Sequence, residues 1–310
     1  MKTYSFFAAC ALFVASAFTS CQQAEEPIAN EPFDQNLSET RAVADWSDFY
    51  RVVYVEVNDV NPLNAGEYLL EDGTPFFTHV ILFASNIHGN ANGEVYNYNN
   101  PNNAAILADP ATYIKPLQDK GIKVIMGNLG DHTGAGFANL NATQIGTYSD
   151  DLIAYNNVVN GYDFDDEWAE YGKNGFPGVN NTSYSNLILA MRAKTNGTLS
   201  VFDWGNTDTL NADAINALDW GCQGRLNGYG FNSKFPNNKY LPLFVDLTNP
   251  MIATRIRSFT TQAKNAGARG VAFFNLPMAA TRVSSFNACA QAFGHTVSHS
   301  GKTYSKNYGN

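Results

Sequence analysis

The feature that most limits what this chain can fold into is a repeated alternation. Apolar runs of strand length recur, with segments of helical character between them. Eight such runs stand out: Arg51–Asn58, Thr78–Ser85, Ile122–Asn128, Gly161–Glu167, Leu199–Trp204, Ala217–Cys222, Leu241–Val245 and Gly270–Phe274. Alternation of this kind signals βαβ units and a parallel sheet. The best runs, such as His79-Val80-Ile81-Leu82-Phe83, are almost continuously apolar, as strands buried on both faces must be. No glycine-rich phosphate-binding turn follows the first run, which removes the main reason to prefer a dinucleotide-binding sheet. The expected fold is α/β, a (β/α)8 TIM barrel, and 310 residues suffice for it.

Helices fit most of the gaps: Asp109–Lys120, Thr143–Asn156, Ser183–Thr195 and Thr248–Gly267. Pro110 near a start and Gly121 past an end follow the usual asymmetry of helix termini. Two links, Gly205–Asn216 and Asn227–Tyr240, hold one helical turn at most. A parallel crossover normally takes about a dozen residues or more. The barrel is therefore expected to have degenerate helices after strands five and six. No internal repeat is visible, and a single domain over residues 45–310 accounts for the whole pattern.

The chemistry is concentrated in Asn160-Gly161-Tyr162-Asp163-Phe164-Asp165-Asp166-Glu167-Trp168. Read as a strand, its period of two puts Asp163, Asp165 and Glu167 on one face. Three carboxyl groups in a row cannot all be ionised cheaply, because like charges raise each other's pKa. An exposed acidic loop would not explain the apolar Val158-Val159 lead-in or Phe164 on the opposite face. Active sites of such barrels lie at the C-terminal ends of the strands, so Glu167, last in the run, stands nearest a substrate. A glutamate whose pKa is raised by acidic neighbours suits a general acid. Asp165, one pleat deeper, is placed to touch both Glu167 and a ligand. Asp163 lies deeper still and is expected to share a proton with Asp165. Asp166 points to the other face and has a structural part. A metal site is the competing idea, but no His lies near the run, and a cation wants ligands from several directions. No metal and no cofactor is expected.

The run resembles the Asp-Gly-x-Asp-x-Asp-x-Glu signature of glycoside hydrolase family 18. Its continuation, Asp165-Asp166-Glu167-Trp168-Ala169-Glu170-Tyr171-Gly172, is similar to the endo-β-N-acetylglucosaminidase H and F branch more than to the chitinases. Glu56-Val57-Asn58-Asp59-Val60-Asn61-Pro62-Leu63-Asn64 resembles the end of that branch's first strand, and Tyr113 to Ile125 its helix before the third. The likeness is good over residues 48–170 and loose near the C-terminus. It implies a retaining mechanism in which the substrate supplies the nucleophile. Glu167 would protonate the leaving oxygen, and the 2-acetamido carbonyl would attack the anomeric carbon. Asp165 would hold the acetamide N–H. The implied substrate is the GlcNAc-GlcNAc core of N-linked glycans.

The sequence departs from the family in two places. Asn160 stands where the signature has its first Asp, and the change is expected to alter proton sharing behind Asp163. After the sixth strand, relatives carry an amide or His and then a Tyr that helps bind the acetamido oxygen. Here Gln223 is the candidate for the amide, and Tyr229 the nearest Tyr, on a longer loop. Other candidates for lining the cleft come from strand ends: Asn86, Asn128, Asp203, Asp246 and Asn275. For His88 and His132, sugar contact and a solvated loop position both stand as readings. So do a glycan grip and a polar excursion for the Asn- and Tyr-rich loop Gly89–Asn103.

The first 20 residues read as a signal peptide: Met1-Lys2, then an apolar stretch from Phe6 to Phe18, too short to span a bilayer. Phe18-Thr19-Ser20-Cys21 resembles a bacterial lipobox, which implies lipidation at Cys21. Residues 21–44 read as a tether, poor in apolar content. Glu25-Glu26 resembles the acidic export signal of Bacteroidetes-type lipoproteins. The expectation is a monomer on the outer membrane of a Gram-negative cell, held to the membrane only through lipid. A net charge of -9 with no basic stripe excludes a nucleic-acid partner. Cys222 and Cys289 remain, and are expected as buried thiols. Two alternatives stand beside the main reading. A chitinase of the same family lacks support from Ala272-Phe273-Phe274-Asn275, where chitinases carry a tryptophan. A silent glycan-binding lipoprotein would gain nothing from keeping Asp165 and Glu167.

Overall fold

The computed structural model describes residues 43–309. The expected signal peptide, Cys21 and nearly all of the tether lie outside the described residues. Eight strands form the frame: β1 (Tyr50–Glu56), β2 (His79–Gly89), β3 (Lys123–Leu129), β4 (Gly161–Asp165), β5 (Thr198–Asp203), β6 (Trp220–Gln223), β7 (Leu243–Asp246) and β8 (Gly270–Phe274). They pair in parallel in the spatial order β6-β5-β4-β3-β2-β1-β8-β7.

The sheet curls as in a TIM barrel, but its ladder is not continuous all the way round. Tyr240–Leu241 pairs with β6 and Leu243–Asp246 pairs with β8. Pro242 stands between them. Proline has no N–H to give a ladder, so the expected run Leu241–Val245 splits into two pieces. A fully closed eight-stranded ladder was expected, and the seam at Pro242 replaces it.

Side-chain alternation separates two cores. Val52, Tyr54, Ile81, Ile125, Phe202, Trp220, Leu241, Phe244 and Ala272 point inward and pack on one another. Val53, Val55, Val80, Leu82 and Val124 point outward, into the layer between strands and helices. Burying a side chain of this size contributes roughly 1.5–3 kcal/mol.

Several boundaries differ from expectation, each for a local reason. The helix foreseen over Asp109–Lys120 is two short ones, Pro110–Tyr113 and Lys115–Asp119. Pro116 removes an internal N–H and crowds the preceding turn. The Gly89–Asn103 stretch is no irregular loop. β2 runs on to Gly89, and Val95–Tyr98 folds back antiparallel along it. The helix Pro101–Ala108 follows, capped by Asn100, whose side chain accepts from the N–H groups of Asn102 and Asn103. β6 begins at Trp220, because Ala217 closes the helix Ala212–Ala217. The helix expected from Thr248 begins at Ala253. The links after β5 and β6 are short of helix: a 3-10 turn plus six residues in one, and a 3-10 turn at Asn237–Lys239 in the other. Cys222 and Cys289 are buried free thiols.

Candidate active site

β4 carries the acidic run, and every one of its residues is buried. The strand ends at Asp165, so Glu167 lies two residues beyond it rather than at its last position. Asp163 is fully buried in the barrel interior. Its Oδ1 accepts from the Ser200 hydroxyl at 2.5 Å and its Oδ2 from the Tyr54 hydroxyl at 3.1 Å. Burial pushes this carboxyl up to about 6, and the two donors oppose the rise. Asp163 is thus held by donors from β5 and β1, and its charge adds to the rise at Asp165.

Asp165 is 4% exposed, and its Oδ1 is buried without a hydrogen-bond partner. Burial raises its pKa well above the ordinary range, and the charges of Glu167, Asp163 and Asp166 add to the rise. Glu167 is half-buried, and burial, then the charge of Asp166, raise its pKa also. Asp166 faces away, accepting from Tyr171 and from Asn206.

Asp165 and Glu167 open onto a cavity of about 490 Å³. Tyr54, Phe83, Phe202, Phe244 and Phe274 line it from the strands, and Trp168, Trp204, Arg225 and Leu226 from the loops beyond. Trp168 and Trp204 are 59% and 46% exposed, unusual for tryptophan and suited to stacking on a sugar ring. A second, more polar cavity of about 780 Å³ adjoins it, sharing Trp204 and Arg225.

The other candidates disperse. Gln223, Tyr229 and Asp203 line the second cavity, away from Asp165. The Tyr229 ring stacks flat on Phe259 at 4.6 Å, which holds it outside the carboxylate cavity. The Gln223 amide donates to Gly230 O. Asp203 accepts from Thr207, Asn232 and Tyr240, and so ties down the long loop after β6. Asn128 is fully buried, donating to Met126 O and Asp163 O and accepting from Tyr148; its part is structural. Asn86 donates to Gly130 O, Asn275 bonds Glu56, and Asp246 closes a turn with Thr248. None of these three lines either cavity at the acid. His88 pairs with Asp131 between Tyr96 and Tyr98, and His132 pairs with Glu170 against Trp168. Asn160 sits on the outer face, accepting from Val124 N and Gln118, and has no part behind Asp163.

Tyr54 escaped the sequence reading. Period two from Val52 would have placed it inside, where a lone hydroxyl among apolar residues needs a partner. Arg225 and Leu226 lie on a loop with no pattern to reveal them. Among the described residues, no group of three or more His, Cys, Asp and Glu is arranged to hold a metal ion.

No family model matches the chain. It is 44% identical over 161 residues to an endo-β-N-acetylglucosaminidase of Flavobacterium sp. (strain SK1022), covering 50% of this chain and 50% of that protein. It is 31% identical over 246 residues to endo-β-N-acetylglucosaminidase F1 of Elizabethkingia meningoseptica, covering 73% of this chain and 72% of that one. The chain thus spans half the length of one relative and most of the other. In fold it is similar to EndoBT-3987 of Bacteroides thetaiotamicron, with a TM-score of 0.72 at 22% identity over 87% of this chain and 67% of that one. A class V chitinase from Nicotiana tobaccum gives 0.55 at 11% identity, over 80% and 99%. The extent and identity of the match to the Elizabethkingia enzyme establish that the chain belongs to the endo-β-N-acetylglucosaminidase branch of glycoside hydrolase family 18.

Proposed function

We propose that this chain hydrolyses the β-1,4 bond between the two GlcNAc residues of the N-glycan core, leaving one GlcNAc on the protein. The observation that carries the reading is the unpartnered Oδ1 of Asp165, buried on the wall of the cavity that Glu167 shares. A buried acceptor without a donor costs about 1–3 kcal/mol, and an acetamide N–H is the donor that would relieve it. EndoBT-3987 has been solved with a Man9GlcNAc2Asn substrate, which supports the same substrate class here.

In the mechanism, Glu167 gives its proton to the glycosidic oxygen as that oxygen leaves the anomeric carbon. The acetamido carbonyl oxygen closes onto that carbon, while Asp165 accepts the N–H. The oxazolinium-like product carries positive charge, which favours the ionised form of a carboxyl in contact with it. The Glu167 carboxylate then takes a proton from water, and the water oxygen opens the ring at the same carbon. Each displacement enters opposite the group it expels and inverts the anomeric carbon, so the two together retain the configuration. The aromatic wall of the cavity keeps other water away.

The barrel is read as eight-stranded, with its seventh strand interrupted at Pro242. Residues 1–20 are read as a signal peptide, 21–44 as a tether lipidated at Cys21, and 45–310 as the catalytic domain. The whole is read as a monomer on the outer face of a Gram-negative outer membrane.

The test is digestion of a glycoprotein with defined N-glycans and, separately, of chitin oligomers, read by mass spectrometry. Released glycans ending in a single GlcNAc, with chitin left intact, support the reading; glycans ending in two GlcNAc overturn it. Glu167→Gln should lose about 100- to 10,000-fold in kcat while still binding glycan.

A further inference from the structure

Asp166 stands between the two catalytic carboxyls, points away from the cavity, and is 5% exposed. The reaction gives it nothing to do, yet a buried charge is costly unless donors surround it. Its Oδ2 accepts from Asn206 N at 2.8 Å and from Asn206 Nδ2 at 2.7 Å. Its Oδ1 accepts from the Tyr171 hydroxyl, which in turn accepts from Ala138 N at 3.1 Å. All of the Asn206 donors come from the loop that follows β5.

Gly205 completes the junction. Its φ is +63°, and a Cβ there would lie 2.1 Å from Asp166 O and 2.9 Å from Asp166 Oδ2. The two loops touch backbone to backbone, with no space for a side chain. Trp204 is the residue immediately before this junction. It lines the catalytic cavity half-exposed, and among the described residues its ring joins no aromatic pair. Its backbone runs straight into the segment that Asp166 grips at Asn206.

We propose that Asp166 is a positioning residue, locking the loop after β5 to the loop after β4 so that Trp204 faces the same sugar as Glu167. The proposal rests on the glycosidase reading for its substrate, though not for its geometry. Holding the indole face in place before substrate arrives lowers the ordering cost of stacking on it. The charge of Asp166 has a second effect, since it raises the Glu167 pKa. Asp165 of β4, Tyr54 of β1 and Arg225 of the loop after β6 line the cavity with Glu167, and the loop after β3, bonded to Glu167 O through Gly130 N, carries Asp131 and His132. Of these groups and Asp166, it is Asp166 that hydrogen-bonds Asn206, two residues past Trp204.

The test compares Asp166→Asn, Trp204→Ala and the double variant in steady-state cleavage of a defined N-glycopeptide. Asp166→Asn keeps the shape and removes the charge, and it presents an amide where Asn206 and Tyr171 donate. It should raise KM about tenfold, as Trp204→Ala should, and the double variant should be no worse than Trp204→Ala alone. The alkaline limb of its kcat/KM profile should move to lower pH, while that of Trp204→Ala stays in place. Gly205→Ala serves if Asp166→Asn folds poorly: it should raise KM with the limb unmoved. A normal KM in Asp166→Asn, or additive losses in the double variant, overturns the proposal while leaving the glycosidase reading intact. Hydrogen exchange over residues 204–209 tests the geometry without turnover. Faster exchange in Asp166→Asn supports the lock, and unchanged exchange overturns it even if no N-glycan is cleaved.

Discussion

The Tyr54 hydroxyl donates to Asp163 Oδ2 over 3.1 Å, linking β1 to β4 through the middle of the barrel. Its neighbour in the same task is Ser200, on the other oxygen. These two donors oppose the rise that burial forces on the Asp163 pKa. Tyr54→Phe removes one of them and leaves the ring in place. A hydrogen bond to a charged group contributes about 1.5–3 kcal/mol. Asp163 should then hold its proton more tightly, and Asp165 above it should lose a negative neighbour. We expect kcat at neutral pH to fall by about tenfold or more, with KM within about twofold. An unchanged kcat would show that Asp163 has no say in the chemistry.

The same carboxyl sets a pH dependence of stability. Its pKa rises from 3.8 in a solvated chain to about 6 in the fold. Between those values the folded state binds the proton that the unfolded state has released. Stability from this group is fully present below pH 3.8 and is lost as pH rises through about 6. The loss is on the order of 3 kcal/mol, less whatever its coupled neighbours absorb. Asp163→Asn has no such titration. Its Tm should therefore gain on the parent protein as pH goes from 4 to 7, and equal pH slopes in the two proteins would refute the assignment.

How far the sequence could be read depended on whether a residue obeyed a period. β4 was legible because Asp163 and Asp165 alternate with Tyr162 and Phe164, and the structure brings them to the interior as that alternation requires. β8, Gly270–Phe274, is found where its apolar run lies. Tyr54 obeys the same period, two residues beyond the inward Val52. What could not be read is what depends on distant chain. Pro242 divides the segment so that Tyr240–Leu241 pairs with β6 and Phe244–Asp246 with β8. Arg225 and Leu226 reach the cavity because Asp203 grips Asn232 and Tyr240 beyond them. Nearness in sequence favours Tyr229, but stacking on Phe259 takes it elsewhere. A strand end need not face a cleft: Asn86, Asn128 and Asn275 spend their amides on neighbouring backbone and side chains.

Asn128 makes that difference measurable. Its amide donates to Met126 O and to Asp163 O, each at 3.0 Å, and its oxygen accepts from Tyr148. Asn128→Ala would leave a buried tyrosine hydroxyl without its acceptor. The cost should be about 1–3 kcal/mol of stability. KM for glycopeptide should hold steady, because no ligand reaches this side chain. A large rise in KM with unchanged Tm would restore it to the substrate site.

Gly130 tests how tightly the general acid is held from outside its own strand. Its N–H donates to Glu167 O at 3.0 Å, joining the loop after β3 to the acid. A Cβ at this position would lie 2.1 Å from Glu167 O and 2.6 Å from Ala169 N. Both are backbone atoms and cannot swing aside, so Gly130→Ala must push the 167–169 segment outward. Misplacing a reacting group by about 1 Å costs on the order of 100-fold in rate. The variant should lose about that much in kcat while its barrel core, remote from the loop, keeps most of its stability. Asp163 would stay bonded to Tyr54 and Ser200, so the pH slope of Tm described above should survive. A Gly130→Ala protein with normal kcat would mean that Glu167 is free to find its position without the loop after β3, and that the geometry of the site is set by substrate rather than by the fold.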